Sequence, residues 1–330
     1  MLVRVIGAGV AGLTAAFEIA RRGEARGVAV ELIEREAAPG QGCSRYAGGM
    51  IAPWCELQSA EPIVAELGEE ALEFWTTGIP VAQRRGSLVV APPRERAELT
   101  DFSRRTRNFE RLDAAGLAAL EPDLDGRFAQ ALYFPGEAHL DPAQAMAALA
   151  ARLAAMANVT LHFGADASTG AADWTIDCRG FAARDALPGL RGVKGEMLLL
   201  RSSDISLARP VRMLHPRRPV YIVPRGEGLF MIGATMIEND ERARVTARSV
   251  VELANSAYVI HPAFAEAEIV SMGSDVRPAF ADNIPRLVRD GRTLHVNGLY
   301  RHGFLLAPAL ARRAAAVVLE GAHFPEVMGC

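Results

Sequence analysis

Lysine is almost missing from this chain. Among 330 residues Lys194 stands alone, and arginine carries the rest of the positive charge. The arginines are interspersed with acids, and the net charge is −3, so no electrostatic feature directs the chain to nucleic acid or to an anionic membrane surface. Cysteine is scarce as well. Cys43, Cys55, Cys178 and Cys330 form no CxxC pair and show no zinc spacing, which excludes a disulfide framework and a structural metal and leaves four reduced thiols in a cytoplasmic protein. No run of about 18 or more uncharged apolar residues offers a membrane span. The glycine pattern near the start argues against a cleaved leader. GxSxG, HExxH and paired His and Cys motifs are all absent, so hydrolytic triads and metalloprotease chemistry drop out. What remains is an ordinary globular composition, 50% hydrophobic and 23% charged, at a length that suggests two domains.

The information is concentrated in residues 1–34. Val3–Ile6 is a short strand-forming run that leads directly into Gly7-Ala8-Gly9-Val10-Ala11-Gly12. An apolar helix is predicted from Leu13 to Arg22, stopped by Gly23, and Val28–Ile33 reads as a second buried strand ending on Glu34, 22 positions after Gly12. Strand, GxGxxG, helix, strand and acid in this order read as a dinucleotide site. Gly7 permits the tight turn, Gly9 admits a pyrophosphate to the backbone, and Gly12 lets the helix approach the strand. Val10 and Ala11 open a helix whose N-terminus favours phosphate, and Glu34, followed by Arg35, would accept hydrogen bonds from a ribose diol. This element alone does not separate FAD from NAD.

Residues 35–54 contain too many small residues to build a core, while Tyr46, Met50, Ile51 and Trp54 are too apolar for a solvated loop. The stretch, which includes Ser44, reads as a cofactor-lining segment, its serial glycines allowing close approach to something flat or phosphorylated. Further on, Pro62 to Thr76 has helical periodicity, Arg85 to Ala91 reads as a strand, and Pro92–Glu121 reads as short surface helices. Asp141 and Pro142 form an N-cap and first helical position for a helix running to about Met156. Val159–Phe163 is a strand, followed by a polar stretch and then Trp174 to Gly180. From Val193 onward strands follow one another without helices between them (Lys194–Leu200, Pro210–Leu214, Pro219–Val223, Leu229–Ile232), which suggests an antiparallel sheet of its own. A helix from Thr246 and a strand over Glu268–Val276 complete that region. Leu294–Val296 is a last strand, and Asn297 to Pro308 opens the last helix.

Taken together, the N-terminal GxGxxG, the Glu34-Arg35 pair, the Ala47 to Pro53 segment ending at Glu56, the Val220 to Met236 hairpin, Asp275 to Pro278 with Asp282 to Leu287, and Gly298 to Pro308 resemble the D-amino acid oxidase superfamily of flavoproteins. Within it the likeness is to the glycine oxidases of the thiamine pathway. The resemblance implies an α/β chain with an α+β second domain: a Rossmann-like FAD-binding domain over 1–75, 140–190 and 277–330, and a smaller antiparallel-sheet substrate domain over 76–139 and 191–276. It places Ala47 to Met50 beneath a non-covalently held FAD ring and Gly180 near the cofactor, although Asp177 to Phe181 keeps only the glycine of the family's turn. Gly303, Phe304 and Leu305, with Arg301 and His302 before them, would present backbone N–H groups to the flavin's electron-rich edge. His302 stands where the family usually has Asn; it reads as backbone-positioning or partly exposed rather than as a base.

Oxidising an amine on a flavin requires orientation more than acid–base groups, because the cofactor carries the redox chemistry. An amino acid substrate does need a cationic fork for its carboxylate, and arginine has the matching planar donors. The resemblance implies Arg277 in that role, with Arg301 close by, the Tyr221 hydroxyl as a third donor and Met236 on the pocket wall; both arginines are expected at strand ends. The implied reaction is oxidation of glycine or a similar small amine to the imine by hydride transfer to flavin N5, with O2 returning the electrons and yielding H2O2. Dehydroglycine would then supply thiazole synthesis. Oxidation of a D-amino acid or an N-methyl amino acid, or modification of a protein partner, remain alternatives, and the oligomeric state is open.

Overall fold

The computed structural model describes residues 1–166, 170–242 and 244–328. Cys330 and residues 167–169 of the polar stretch after Phe163 lie outside the described residues.

The opening strand, Leu2–Ile6, is central to a six-stranded sheet. Across that sheet the order is Arg286–Asp290, Thr293–Asn297, Trp174–Asp177, Leu2–Ile6, Ala29–Glu34 and Val159–Phe163. All neighbours run parallel except the first two. Val3, Val5, Val30 and Leu32 are fully enclosed, as a parallel sheet covered on its faces requires. Helix Val10–Gly23 follows the glycine turn and packs along the last long helix, Gly303–Glu320, so the two ends of the chain share one core. The turn depends on its glycines. Gly7 has φ +96°, and a Cβ on Gly12 would stand 1.7 Å from the Gly7 carbonyl oxygen.

A second sheet holds nine strands. In order they are Ile237–Glu238, Arg191–Arg201, Leu229–Gly233, Val220–Gly226, Val211–Met213, Ser87–Val90, Gln130–Phe134 and Glu110–Asp113, with Glu268–Ala279 also paired to Arg191–Arg201. Helix Ala247–Ile260, capped by the Thr246 side chain, covers one face. The expected antiparallel arrangement is corrected at one place. Val211–Met213 runs parallel to Ser87–Val90, a pairing open to it because the long chain between the two strands supplies the crossover a parallel pair needs. The surface reading of Pro92–Glu121 also changes. Glu110–Asp113 is an edge strand, and Phe102 and Leu117 are buried, Phe102 edge-on to Phe134 with ring centroids 6.2 Å apart. Strands Gln130–Phe134 and Arg286–Asp290 form where no strand was expected, the first held by ladder partners distant in sequence, the second as a hairpin with Thr293–Asn297.

Asp141 caps helix Pro142–Ala154, accepting the Gln144 N–H at 3.0 Å. Among the described residues no helix is long and apolar enough to cross a membrane.

Candidate active site

The glycine turn opens into a cavity of about 380 Å³. Gly7, Gly9, Val10, Ala11, Glu34, Arg35, Ser44 and Gly180 line it. Gly12 stands behind the wall, against the Gly7 carbonyl and the Cys178 side chain, so it acts by allowing the close approach rather than by facing the cavity. The Val10 N–H is taken by Ser44 Oγ at 3.1 Å, while those of Ala11 and Gly12 find no acceptor among the described residues. Glu34 closes the far side, its carboxylate accepting the N–H groups of Ala8 (2.7 Å) and Glu36 (3.1 Å). Unpaired amide donors at a helix N-terminus, with an acid across from them, suit a dinucleotide's phosphates and ribose.

A second cavity of about 350 Å³ shares Val10, Cys43, Ser44, Tyr300 and Gly303 with the first, so the two form one continuous cleft. Ala47, Gly48, Gly49, Met50, Tyr221, Met236, Arg277, Arg301, His302, Gly303, Phe304 and Leu305 all line it. The opening turn and the closing helix therefore face the same space. The first three N–H groups of the closing helix, on Gly303, Phe304 and Leu305, have no acceptor among the described residues. The side chains of Phe304 and Leu305 turn into the core: the Trp75 indole lies beside Phe304 and donates to its carbonyl at 2.8 Å, and Leu305 fills the space above Gly68.

The charges of this second cavity are arranged around Glu56. Its Oε1 accepts from Arg212 Nη1 at 3.2 Å, and its Oε2 stands 3.8 Å from Arg301 and from His302 Nδ1, buried and without a hydrogen bond. Burial opposes ionisation of Glu56, but Arg212, Arg301 and His302 outweigh it and hold the carboxyl down at about 2. His302 is buried, which removes the partly exposed alternative and leaves the backbone-positioning one. Burial, despite Glu56, pushes its imidazole down to about 4, so it is neutral at pH 7. Arg301 does not end a strand: the strand stops at Asn297, and Arg301 follows Tyr300, whose φ is +49°, in the turn before the helix. Arg277 does lie near the end of its strand and donates to the Thr235 carbonyl at 3.0 Å. A Cβ on Gly195 would meet its guanidinium at 2.1 Å, so glycine there makes room for it. Met236 is half exposed within the cleft, its sulfur 3.3 Å from Arg301 Nη1. The Tyr221 ring lies against Gly48 and Gly233.

The FAD-dependent oxidoreductase family, DAO, matches residues 3–317. The chain belongs to that family. A Rhizobium etli protein named as a thiamine biosynthesis oxidoreductase, ThiO, is 53% identical over 328 residues, 99% of either chain. The crystal structure of the Geobacillus kaustophilus glycine oxidase superimposes with a TM-score of 0.78 at 26% identity, covering 98% of this chain and 95% of that one. The iminodiacetate oxidase of Chelativorans sp. BNC1 gives 0.81 at 26% identity, over 96% and 95%. The protein is accordingly an FAD-dependent oxidoreductase of the glycine oxidase/ThiO type. The cleft suits FAD on its own geometry, since a glycine-walled cradle with unpaired amide donors at both helix N-termini receives a large anionic cofactor without displacing side chains.

Three features of the site escaped the sequence reading. Glu56 was visible only as the end of a motif, and Arg212, 156 positions away, carried no local signal as its partner. Arg225 sat unremarked inside the hairpin motif. Tyr300, whose ring stands edge-on to His302, was passed over between two better-known neighbours.

Proposed function

We propose that the protein oxidises glycine, or a similarly small amino acid or amine, to the imine, with dioxygen as the terminal acceptor, and that the imine from glycine serves thiamine thiazole synthesis in the cytoplasm. Support comes chiefly from one observation: Arg277, Arg301 and Tyr221 line a cavity continuous with the glycine-turn cleft. The names of the relatives point the same way. In this reading residues 1–75, 140–190 and 277–330 hold the cofactor, and residues 76–139 and 191–276 present the substrate.

Arg277 and Arg301 would take the substrate carboxylate through paired N–H donors, with the Tyr221 hydroxyl as a third, and so fix the Cα–H direction. Their charge also disfavours an ammonium group beside them, which promotes the neutral amine the oxidation needs. At pH 7 His302 is neutral and Glu56 is ionised and bonded to Arg212. FAD, when bound, would supply the two-electron oxidation, and these residues would hold the substrate towards it. Gly7, Gly9, Ala11, Glu34, Arg35 and Gly180 would hold its nucleotide half, and Ala47 to Met50 with Gly303 to Leu305 its ring. The Cys43 thiol, which burial and then Asp275 push up to about 12, is a poor nucleophile, in keeping with non-covalent attachment.

The test is a purified, yellow protein whose flavin is reduced by glycine without oxygen and which releases peroxide in air. Protein that binds no flavin ends the proposal. Faster reduction by an N-substituted amine would transfer it to that substrate, a reading favoured by the cavity's extension past the arginine pair to Gln58, Glu98 and His215.

A further inference from the structure

Arg225 is an enclosed cation beside the cleft that substrate recognition leaves unused. It projects from the hairpin strand Val220–Gly226, with its side chain 7% exposed. One amino group donates to the Leu140 carbonyl at 2.7 Å. The other donates to two successive carbonyls, Ala47 at 3.1 Å and Gly48 at 2.9 Å. Asp141 is its nearest carboxylate, 3.6 Å from Nε. A single guanidinium thus ties the second sheet to the cleft-lining segment and to the entry of helix Pro142–Ala154.

The consequence follows from peptide geometry. Each trans peptide directs its N–H opposite its C=O. With the Ala47 and Gly48 carbonyls converging on Arg225, the N–H groups of Gly48 and Gly49 point away from it. Neither has an acceptor among the described residues, and both glycines line the cleft. Gly49 is in the left-handed region at φ +69°, and a Cβ there would stand 2.2 Å from the same Leu140 carbonyl that Arg225 holds. Two adjacent amide donors arranged by a left-handed residue form an anion-binding concavity, and a cation bonded to their carbonyls polarises both peptides in the same sense.

We propose that Arg225 is a positioning residue for the redox step: through the carbonyls of Ala47 and Gly48 it aims the N–H groups of Gly48 and Gly49 at an electron-rich edge of the flavin ring and stabilises the charge that the ring acquires on reduction. This rests on the reading of the cleft as a flavin site. Arg225 lines neither cavity; it acts through two peptide groups. Burial lowers its guanidinium to about 10, which leaves it charged at neutral pH.

The decisive quantity is the midpoint potential of bound FAD, measured against a reference dye in the holoenzyme. Arg225→Met should lower the equilibrium ratio of reduced to oxidised flavin about tenfold, which is about 30 mV for a two-electron couple. Arg225→Lys retains the charge but cannot span three carbonyls, and should fall between Met and wild type. The KM for the amino acid should change less than twofold while kcat falls, since the carboxylate fork is elsewhere. FAD bound with wild-type potential in either variant overturns the proposal. So does failure of both variants to fold, which would make Arg225 a structural cross-link. Wild-type protein that takes up no FAD overturns the flavin reading itself, an outcome distinguishable from an unshifted potential.

Discussion

Glu56 Oε2 lies 3.8 Å from Arg301 Nη2, close enough for the charges to act on one another and too far for a hydrogen bond. The Glu56 carboxylate accepts its hydrogen bond from Arg212, so it holds Arg301 by field rather than by contact, while Arg301 Nη1 donates to the Met236 sulfur.

Removing that charge should be costly. Glu56→Gln leaves Arg212, with its side chain 10% exposed, without its carboxylate, and loss of one partner of such a pair costs about 3 kcal/mol. The folded pKa lies below the unfolded one, so the stabilisation is fully present above about 4.5 and is lost as pH falls towards 2. Thermal unfolding of both proteins from pH 7 down to the acid limit of folding should show the gap narrowing below about 4.5. A gap that stays constant would remove Glu56 from the electrostatics of the site.

Arg277→Ala should raise KM about a hundredfold for an amino acid substrate, equivalent to roughly 3 kcal/mol of charge-assisted hydrogen bonding, while flavin absorbance per chain stays at the wild-type level. Steady-state kinetics beside a flavin spectrum make the check. Unchanged KM would move the carboxylate site elsewhere in the cleft.

Glu137 provides a pH prediction of the opposite sign. It is fully buried, its Oε1 accepting the Trp54 and Cys55 N–H groups at 3.1 and 2.9 Å, and burial raises its carboxyl to about 7. A raised carboxyl makes the folded state retain a proton that the unfolded chain releases, so this site costs stability progressively from about pH 4.5 to 7. Glu137→Gln keeps the amide acceptor without the titration. Its melting temperature should approach that of wild type near pH 5 and exceed it by several degrees at pH 8, the difference expected from about 3 kcal/mol.

The two inner glycines of the turn should fail in different ways. A Cβ at Gly12 has nowhere to go, 1.7 Å from the Gly7 carbonyl, whereas one at Gly9 meets only Ser44 Oγ at 3.2 Å. Gly12→Ala should yield little folded protein. Gly9→Ala should fold, with unchanged far-ultraviolet circular dichroism, and hold FAD at least tenfold more weakly, as read by flavin fluorescence on dilution. Equal behaviour of the two would mean the turn is not packed as described.

What the sequence disclosed follows the range of the interactions involved. The glycine turn, the Asp141 cap and the helices begun at Pro62 and beside Thr246 are local devices, written within a few positions and found where expected. Strand Gln130–Phe134 owes its existence to Ser87–Val90 and Glu110–Asp113 on either side, so its own residues announced little. The parallel pairing of Val211 with Leu88 and the Arg225 clamp on Gly48 join positions more than a hundred apart, and no local rule records such meetings. The resemblance of motifs named the cleft's walls; the ion pairs behind them became visible only in three dimensions.

The solitary lysine turns out to be sealed. Lys194 is 2% exposed, paired with Glu196 at 2.9 Å, and its strand is hydrogen-bonded on both sides, opposite Ile237 and Val276. A lysine-specific protease therefore has a single scissile bond in the chain, Lys194–Gly195, in the middle of a sheet and beside the Arg277 guanidinium. Digestion of the native protein would be silent until that sheet parts, and the appearance of two fragments would count the openings of the substrate-side scaffold one molecule at a time.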